Sequence, residues 1–266
     1  MKKILKLTIM ITALALVSCS PPKKGLNIVF ISGSNEYVSH VTLNEYRKKL
    51  TAEYPDATIT ILQANGPLNE KGEYSNLDGT EVLADADVLL TFVRRTTISG
   101  RAIEDIRNYV ASGKPLVALR TSSHGFQSWP EFDRDVLGGN YHHHYTGEPE
   151  PREIGSDGMA YVVGQPTGQP QQVHVDSVNR DHPVLKGIDD FVSKYSLYKT
   201  SPVADDARVL LTGHTDEGTE PVAWTRERNG QRVAYIALGG VQDWQNPVFV
   251  KLVTNALFWA AESKGE

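Results

Sequence analysis

Short apolar runs, rich in β-branched residues, alternate with longer segments of mixed polarity in the first half of the chain. Four of these runs predict strands, because an apolar run of this length suits a strand buried on both faces of a sheet. They span residues 26–31, 58–62, 88–93 and 116–119. Strands that alternate with helices in this way indicate right-handed βαβ units and a parallel sheet.

Two of the connecting segments predict helices. One is expected over residues 100–112, where apolar positions recur at helical spacing and face the sheet. The other is expected to run to residue 54, with Thr42 as its N-cap and Glu45 completing a capping box. The polar segment 63–80, rich in Asn and Gly, predicts a loop.

The second half of the chain reads mainly as strands. They are predicted at residues 160–164, 172–176, 208–212, 221–225 and 232–238. Asn229-Gly230 predicts a tight hairpin between the last two. A final amphipathic helix is expected from Asn246-Pro247 to residue 261. With no internal repeat or linker, the pattern predicts one α/β domain with helices on both faces of a parallel sheet and a β-rich second half.

Polar side chains follow three of the predicted parallel strands, at the point where each strand ends. Ligands in open α/β sheets bind at the carboxyl ends of the strands, so these loops are expected to line one crevice. The polar and aromatic residues in the three loops are Glu36, Tyr37, His40, Arg94, Arg95, Arg120 and His124.

The N-terminus has the features of an export signal. Three lysines precede an apolar stretch, 7–17, that is too short for an ordinary membrane span. It ends in Leu-Val-Ser-Cys, which resembles a bacterial lipoprotein signal with Cys19 as the lipidated residue. We therefore predict a signal peptide over 1–18, a tether over 19–25 and a folded domain over 26–262, anchored in the bacterial cell envelope and facing the periplasm. The alternative is a signal peptide with an incidental cysteine.

Charge and cysteine content exclude several function classes. Without residues 1–18 the chain keeps 24 basic residues against 32 acidic ones, a net charge of −8, which argues against nucleic acid as a partner. Cys19 is the only cysteine, so a lipidated chain has no free thiol. Disulfides, cysteine zinc sites and cysteine nucleophiles are then excluded.

Several strings, taken in order, resemble the trehalose-utilisation (ThuA-like) family, which has a class I glutamine amidotransferase-like fold related to flavodoxin. They are GSNEYVS at 33–39, ALRTSSHGF at 118–126, LGGNYHHH at 137–144, DHP at 181–183, PVAWT at 221–225 and LGG at 238–240, followed by Gln242-Asp243. The resemblance implies a role in the catabolism of trehalose or a related disaccharide, through 3-keto sugars. It leaves the reaction open among hydrolysis, elimination and isomerisation, and the alternative is a sugar-binding lipoprotein without catalytic activity.

Two positions depart from the pattern that the resemblance implies. Arg120 stands where glutamine amidotransferases carry the nucleophilic cysteine and where relatives often carry His. Ser196 stands where many relatives carry an acid before Leu-Tyr. The fold can be shared with the amidotransferases, but their thiol chemistry cannot.

The predicted catalytic residues are His124, Arg120 and Glu36. His124 is a candidate proton donor or acceptor near neutral pH, or else a residue that holds its turn by backbone hydrogen bonds. Arg120 is expected to bind a sugar hydroxyl, a carboxylate or a developing oxyanion, or else to form a salt bridge with Glu36.

The predicted ligand is a polyhydroxylated sugar or keto-sugar. Its candidate binding residues are Asn35, Tyr37, Arg94, Ser122, Ser123, His142, His144, Gln242, Asp243 and Trp244, the last by stacking on a sugar ring. No cofactor is predicted. A divalent metal is the minority interpretation, with His142 and His144 as weak candidate ligands because alternate residues of a strand share a face. The oligomeric state is left open.

Overall fold

The computed structural model describes residues 25–262. Its helices are α1 (Ser39–Glu53), α2 (Gly100–Ala111) and α3 (Pro247–Ala261). Its strands are β1 (Asn27–Gly33), β2 (Thr58–Leu68), β3 (Tyr74–Leu77), β4 (Val88–Val93), β5 (Leu116–Leu119), β6 (His143–His144), β7 (Gly147–Glu148), β8 (Arg152–Ile154), β9 (Ala160–Val162), β10 (Thr167–Gly168), β11 (Gln171–Val175), β12 (Phe191–Ser193), β13 (Tyr198–Lys199), β14 (Arg208–Thr215), β15 (Gly218–Arg228) and β16 (Gln231–Ile236). Short 3-10 or π turns join several of them.

A ten-stranded sheet in the order β12-β11-β14-β15-β16-β5-β4-β1-β2-β3 organises the described residues. Its centre, from β16 to β2, is parallel. Parallel pairing was predicted for β1, β2, β4 and β5, and β16 from the second half extends it. The remaining strands extend it by antiparallel pairing on both sides. Every residue of β4 and β5 is buried, which explains their unbroken apolar sequences. This mixed sheet with packed helices confirms the predicted α/β class.

Helices α2 and α3 cover the sheet with the faces that the sequence predicted. Ile103 and Ile106 of α2 are buried in the core. In α3, Asn246 caps the first turn by accepting a hydrogen bond from the Val248 N–H, and Pro247 occupies the first position. The Asn229-Gly230 hairpin is confirmed, with φ angles of 49° and 82°.

Two local predictions are wrong. Helix α1 begins at Ser39, so Thr42 lies inside the helix and there is no capping box at its start. The segment 63–80 is not a loop throughout, because β2 extends to Leu68 and β3 pairs with it antiparallel. Tyr74 and Leu77 of β3 are buried, so burial of these side chains outweighs the turn-forming composition around them.

The predicted signal peptide over 1–18 and the lipidated Cys19 lie outside the described residues. Within residues 25–262, the helices are all too short or too polar to span a bilayer.

Candidate functional site

The carboxyl edge of the parallel strands carries unusual backbone conformations. Val38, Arg95 and Arg120 adopt left-handed φ angles of 41°, 42° and 39°. They lie in the loops that follow β1, β4 and β5. A non-glycine residue in this region is strained by about 1–3 kcal/mol, and such strain concentrates at functional sites. Strain in three neighbouring loops therefore marks the crevice that strand order predicts.

His124 is half-buried in the crevice and is held on two sides. Its ring stacks on Tyr141, with centroids 4.2 Å apart and an interplanar angle of 18°. Its Nδ1 lies 3.1 Å from the Ser123 hydroxyl oxygen, and that hydroxyl donates to the Arg120 carbonyl oxygen at 3.3 Å. Because that hydroxyl proton is donated to the carbonyl, we infer that the imidazole proton is on Nδ1 and that Nε2 is the acceptor.

The pKa of His124 is lowered well below its usual value. Burial is the main cause, followed by the positive charges of Arg95, Arg94 and Arg120. The imidazole is therefore neutral at physiological pH and able to accept a proton.

Two glutamates share one arginine beside this histidine. Arg94 approaches Glu36 at 2.5 Å and Glu73 at 3.2 Å. Glu73 is fully buried and also accepts the Asn35 N–H at 2.8 Å. Burial raises the pKa of Glu73 to about 7, against the opposing effects of the Asn35 N–H and Arg94. Glu73 was not selected from the sequence, because it lay in the predicted loop. The aromatic Tyr74 beside it was the one available signal of a strand.

Arg120 lies beneath the crevice and has no exposed surface. Its guanidinium donates to the Ala237 carbonyl at 2.9 Å and to the Ser196 carbonyl at 3.3 Å. The rings of Tyr37, Tyr195 and Tyr198 surround it, with centroids 4.7, 5.4 and 4.4 Å from the guanidinium carbon. The predicted salt bridge to Glu36 is wrong, since Glu36 pairs with Arg94. Arg120 therefore supports the site from below, and the two positions that depart from the family pattern, Arg120 and Ser196, contact each other.

Aromatic residues from the second half complete the crevice. Tyr198 lies 4.6 Å from Tyr141 between ring centroids. Burial raises the pKa of Tyr37 to about 12 and that of Tyr198 well above its usual value, so these phenols stay protonated. The Tyr195 hydroxyl donates to the buried Glu150 in a very short hydrogen bond. None of Tyr141, Tyr195, Tyr198 and Glu150 was selected from the sequence. Tyr198 lies in the two-residue strand β13 and the other three lie between strands, so no periodic pattern marks them.

The histidine segment reaches the crevice through one residue. His144 is half-buried, with its ring centroid 6.3 Å from that of Tyr198. His142 is exposed, and its Nδ1 lies 2.8 Å from the Asn140 carbonyl oxygen. Across residues 25–262, no group of three or more metal-ligating side chains is arranged to hold a metal ion. The weak candidates His142 and His144 thus lack a third ligand in the described part of the chain.

Most of the remaining candidates lie below the surface. Those at most 7 % exposed are Asn35, Tyr37, Ser122, Ser123, Asp243 and Trp244. Ser122 donates to the Thr91 carbonyl at 2.9 Å, and Trp244 packs in the core. The predicted stacking of Trp244 on a sugar is therefore corrected. Asp243 accepts from Ser193 and from the Gly239 and Gly240 N–H groups at 3.0–3.1 Å, which fixes the loop after β16.

Gln242 is half-buried in the loop after β16. Its side chain donates to Gln165 at 2.9 Å, and its N–H donates to the Tyr195 hydroxyl at 2.7 Å. Arg152 of β8 approaches Glu36 at 4.0 Å. Segments of the second half therefore reach the rim of the crevice at Gln242 and at Arg152. The sequence analysis selected Gln242 but not Arg152.

Comparisons with known proteins agree with this architecture. The family model described as "ThuA: Trehalose utilisation" matches residues 30–260. No functionally curated protein matches the sequence. The crystal structure of a ThuA-like protein from Parabacteroides merdae is similar over 90 % of this chain and 91 % of that one, with 19 % identity and a TM-score of 0.60. The mmIFT52 N-terminal domain is similar over 90 % of this chain and 99 % of its own, with 13 % identity and a TM-score of 0.52. At these identities the two structures show the fold alone.

Proposed function

We propose, because this chain belongs to the trehalose-utilisation (ThuA) family, that its carboxyl-edge crevice binds trehalose or a related disaccharide in its 3-keto form and acts on it. The observation that carries the proposal is His124, a neutral imidazole with a free Nε2 acceptor in a strained, polar crevice. The glutamates and Arg94 beside it offer both acceptors and donors, as sugar hydroxyls require.

The proposed chemistry begins with a proton transfer to His124. A keto group acidifies the adjacent carbon, and Nε2 accepts the proton from that carbon. Tyr141 keeps the imidazole plane in place by stacking on it, and Ser123 fixes the tautomer by accepting from Nδ1. Whether the product arises by elimination, hydrolysis or isomerisation then depends on where the electrons and the proton move next.

The test is a comparison of binding and turnover with trehalose, 3-keto-trehalose and simple glucosides. His124→Ala should abolish product formation while leaving ligand-induced thermal shifts measurable. The matched control is His142→Ala, which removes an exposed histidine of the same region. Equal turnover by both variants and the original protein would contradict the role of His124.

A non-catalytic sugar-binding protein is the second candidate. It is favoured by Arg120, which fills the place of the amidotransferase nucleophile and is buried, donating to backbone carbonyls and packing against tyrosine rings. Binding of a disaccharide without product from any of the sugars above would support this candidate.

We also propose a lipid anchor at Cys19 that holds the domain on the periplasmic side of a bacterial membrane. The sequence of the N-terminus supports this anchor, because basic residues are followed by an apolar stretch and then by Leu-Val-Ser-Cys. Cys19→Ala should move the protein from the membrane to the soluble fraction. Retention of that variant in the membrane fraction would contradict lipidation.

A further inference from the structure

Four arginines surround the crevice, and three of them have assigned partners. Arg94 contacts two glutamates, Arg152 approaches Glu36, and Arg120 is buried against carbonyls and tyrosine rings. The half-buried side chain of Arg95 makes no hydrogen bond or ion pair with another residue of 25–262. A partly desolvated guanidinium without an acidic partner is a binding group for an anion from outside the chain.

The backbone of Arg95 is held in a strained conformation by two hydrogen bonds. Its φ is 42°, which is uncommon for a residue other than glycine or asparagine. Its N–H donates to the His124 carbonyl at 3.0 Å, and its own carbonyl accepts from the Asn69 side chain at 2.8 Å. These contacts from two different loops fix the direction in which the side chain leaves the backbone. Strain that is maintained in this way indicates a functional constraint on the residue.

The charge of Arg95 acts on the groups that form the crevice. After burial, it is the largest contribution that lowers the pKa of His124. For Tyr141, burial raises the pKa and Arg95 provides the largest opposing charge effect. Because the Arg95 N–H also donates to the His124 carbonyl at 3.0 Å, Arg95 borders the stacked His124–Tyr141 pair.

We propose that Arg95 binds an anionic oxygen of the ligand, which makes the crevice selective for a negatively charged polyol. The anion has two sources. One is the permanent carboxylate of a sugar acid. The other, which rests on the function proposed above, is the enediolate of a 3-keto sugar. There the C–H bond beside the keto group breaks and its proton goes to Nε2 of His124. Its electron pair forms the C=C bond, and the C=O π pair moves onto the oxygen that Arg95 binds.

Arg120 was expected from the sequence to take this role. It cannot reach a ligand directly, because its side chain is fully buried and its two terminal nitrogens donate to Ala237 and Ser196. Arg95 carries the same planar fork of donors, and its side chain is only half-buried.

The experiment uses Arg95→Asn and the control Arg101→Asn. Asparagine tolerates the left-handed conformation, so Arg95→Asn should be at least as resistant to thermal unfolding as the original protein. Arg101→Asn removes the same charge from α2, where the Arg101 side chain is 80 % exposed. Binding of glucuronate and of glucose is measured by calorimetry at low and raised salt, and turnover of 3-keto-trehalose is measured with the same proteins.

A carboxylate ligand predicts that the original protein prefers glucuronate to glucose and that Arg95→Asn weakens glucuronate binding about 10- to 100-fold, the size of a lost hydrogen bond to a charged group. If the anion is a transient enediolate, the original protein should not prefer glucuronate. Arg95→Asn should then lower kcat for 3-keto-trehalose by about the same factor and leave KM nearly unchanged. Arg101→Asn should change neither. The first result stands even if no keto-sugar is turned over, so it separates this proposal from the proposed function.

The proposal is overturned if Arg95→Asn, folded as the original protein is, changes neither glucuronate affinity nor kcat. It is also overturned if the original protein neither prefers glucuronate nor turns over 3-keto-trehalose. Equal losses in Arg95→Asn and Arg101→Asn would assign the effect to overall charge and reject Arg95 as a specific site.

Discussion

Replacing Glu73 by glutamine should remove a large part of the pH dependence of stability between pH 4.5 and 7. Glu73 is fully buried, and its pKa rises from 4.5 to about 7 on folding. Below pH 4.5 the carboxyl is neutral in both states. As the pH rises towards 7, the unfolded chain releases this proton while the folded chain retains it, so the free energy of unfolding falls. At about 1.4 kcal/mol per pKa unit, the loss reaches about 3 kcal/mol and is complete above pH 7.

Glutamine at this position mimics the neutral carboxyl and cannot titrate. The free energy of unfolding of Glu73→Gln, relative to the original protein, should therefore increase by about 3 kcal/mol between pH 4.5 and 7.5. Urea unfolding at several pH values, followed by tryptophan fluorescence, measures this difference. Glu70→Gln is the matched control, because it makes the same chemical change at an exposed position in the adjoining turn. A difference that stays constant within about 1 kcal/mol over this range would refute the buried, titrating Glu73.

Three further substitutions test the positions that the structure reassigned. Arg120→Ala removes a buried charge and leaves the Ala237 carbonyl without its donor, so urea unfolding should show a loss of about 3–5 kcal/mol; a loss below about 1 kcal/mol would contradict its supporting role. Trp244→Ala should destabilise the core by about 3–5 kcal/mol without changing ligand affinity, and weakened binding by the folded variant would restore the stacking role. Gly240→Ala places a methyl group inside the Tyr195 ring, so thermal unfolding should shift downwards by the equivalent of about 1–3 kcal/mol; an unchanged midpoint would show that the ring moves freely.

The sequence alone determined the centre of the fold. The apolar runs that form β1, β4 and β5 are typical of strands buried on both faces of a sheet. Each of these strands ends where polar residues begin. The sequence also predicted that polar loops meet at one edge of the sheet, since parallel strands bring their carboxyl ends there. His124, Glu36 and Arg94 were identified by that argument and do lie in the same neighbourhood.

Only the tertiary structure decided which polar groups face the crevice and which lie beneath it. Glu73 is buried because β3 adds to the edge of the sheet, a long-range pairing that a polar, Gly-containing segment does not reveal. Arg120 turns inwards because carbonyls from Ser196 and Ala237, distant in sequence, accept its donors and three tyrosine rings surround it. Arg94 pairs with Glu36 and Glu73, whereas the neighbouring Arg95 has no acidic partner within residues 25–262. Burial and charge pairing depend on segments far apart in the chain, so local sequence patterns locate the site while the folded contacts assign its chemistry.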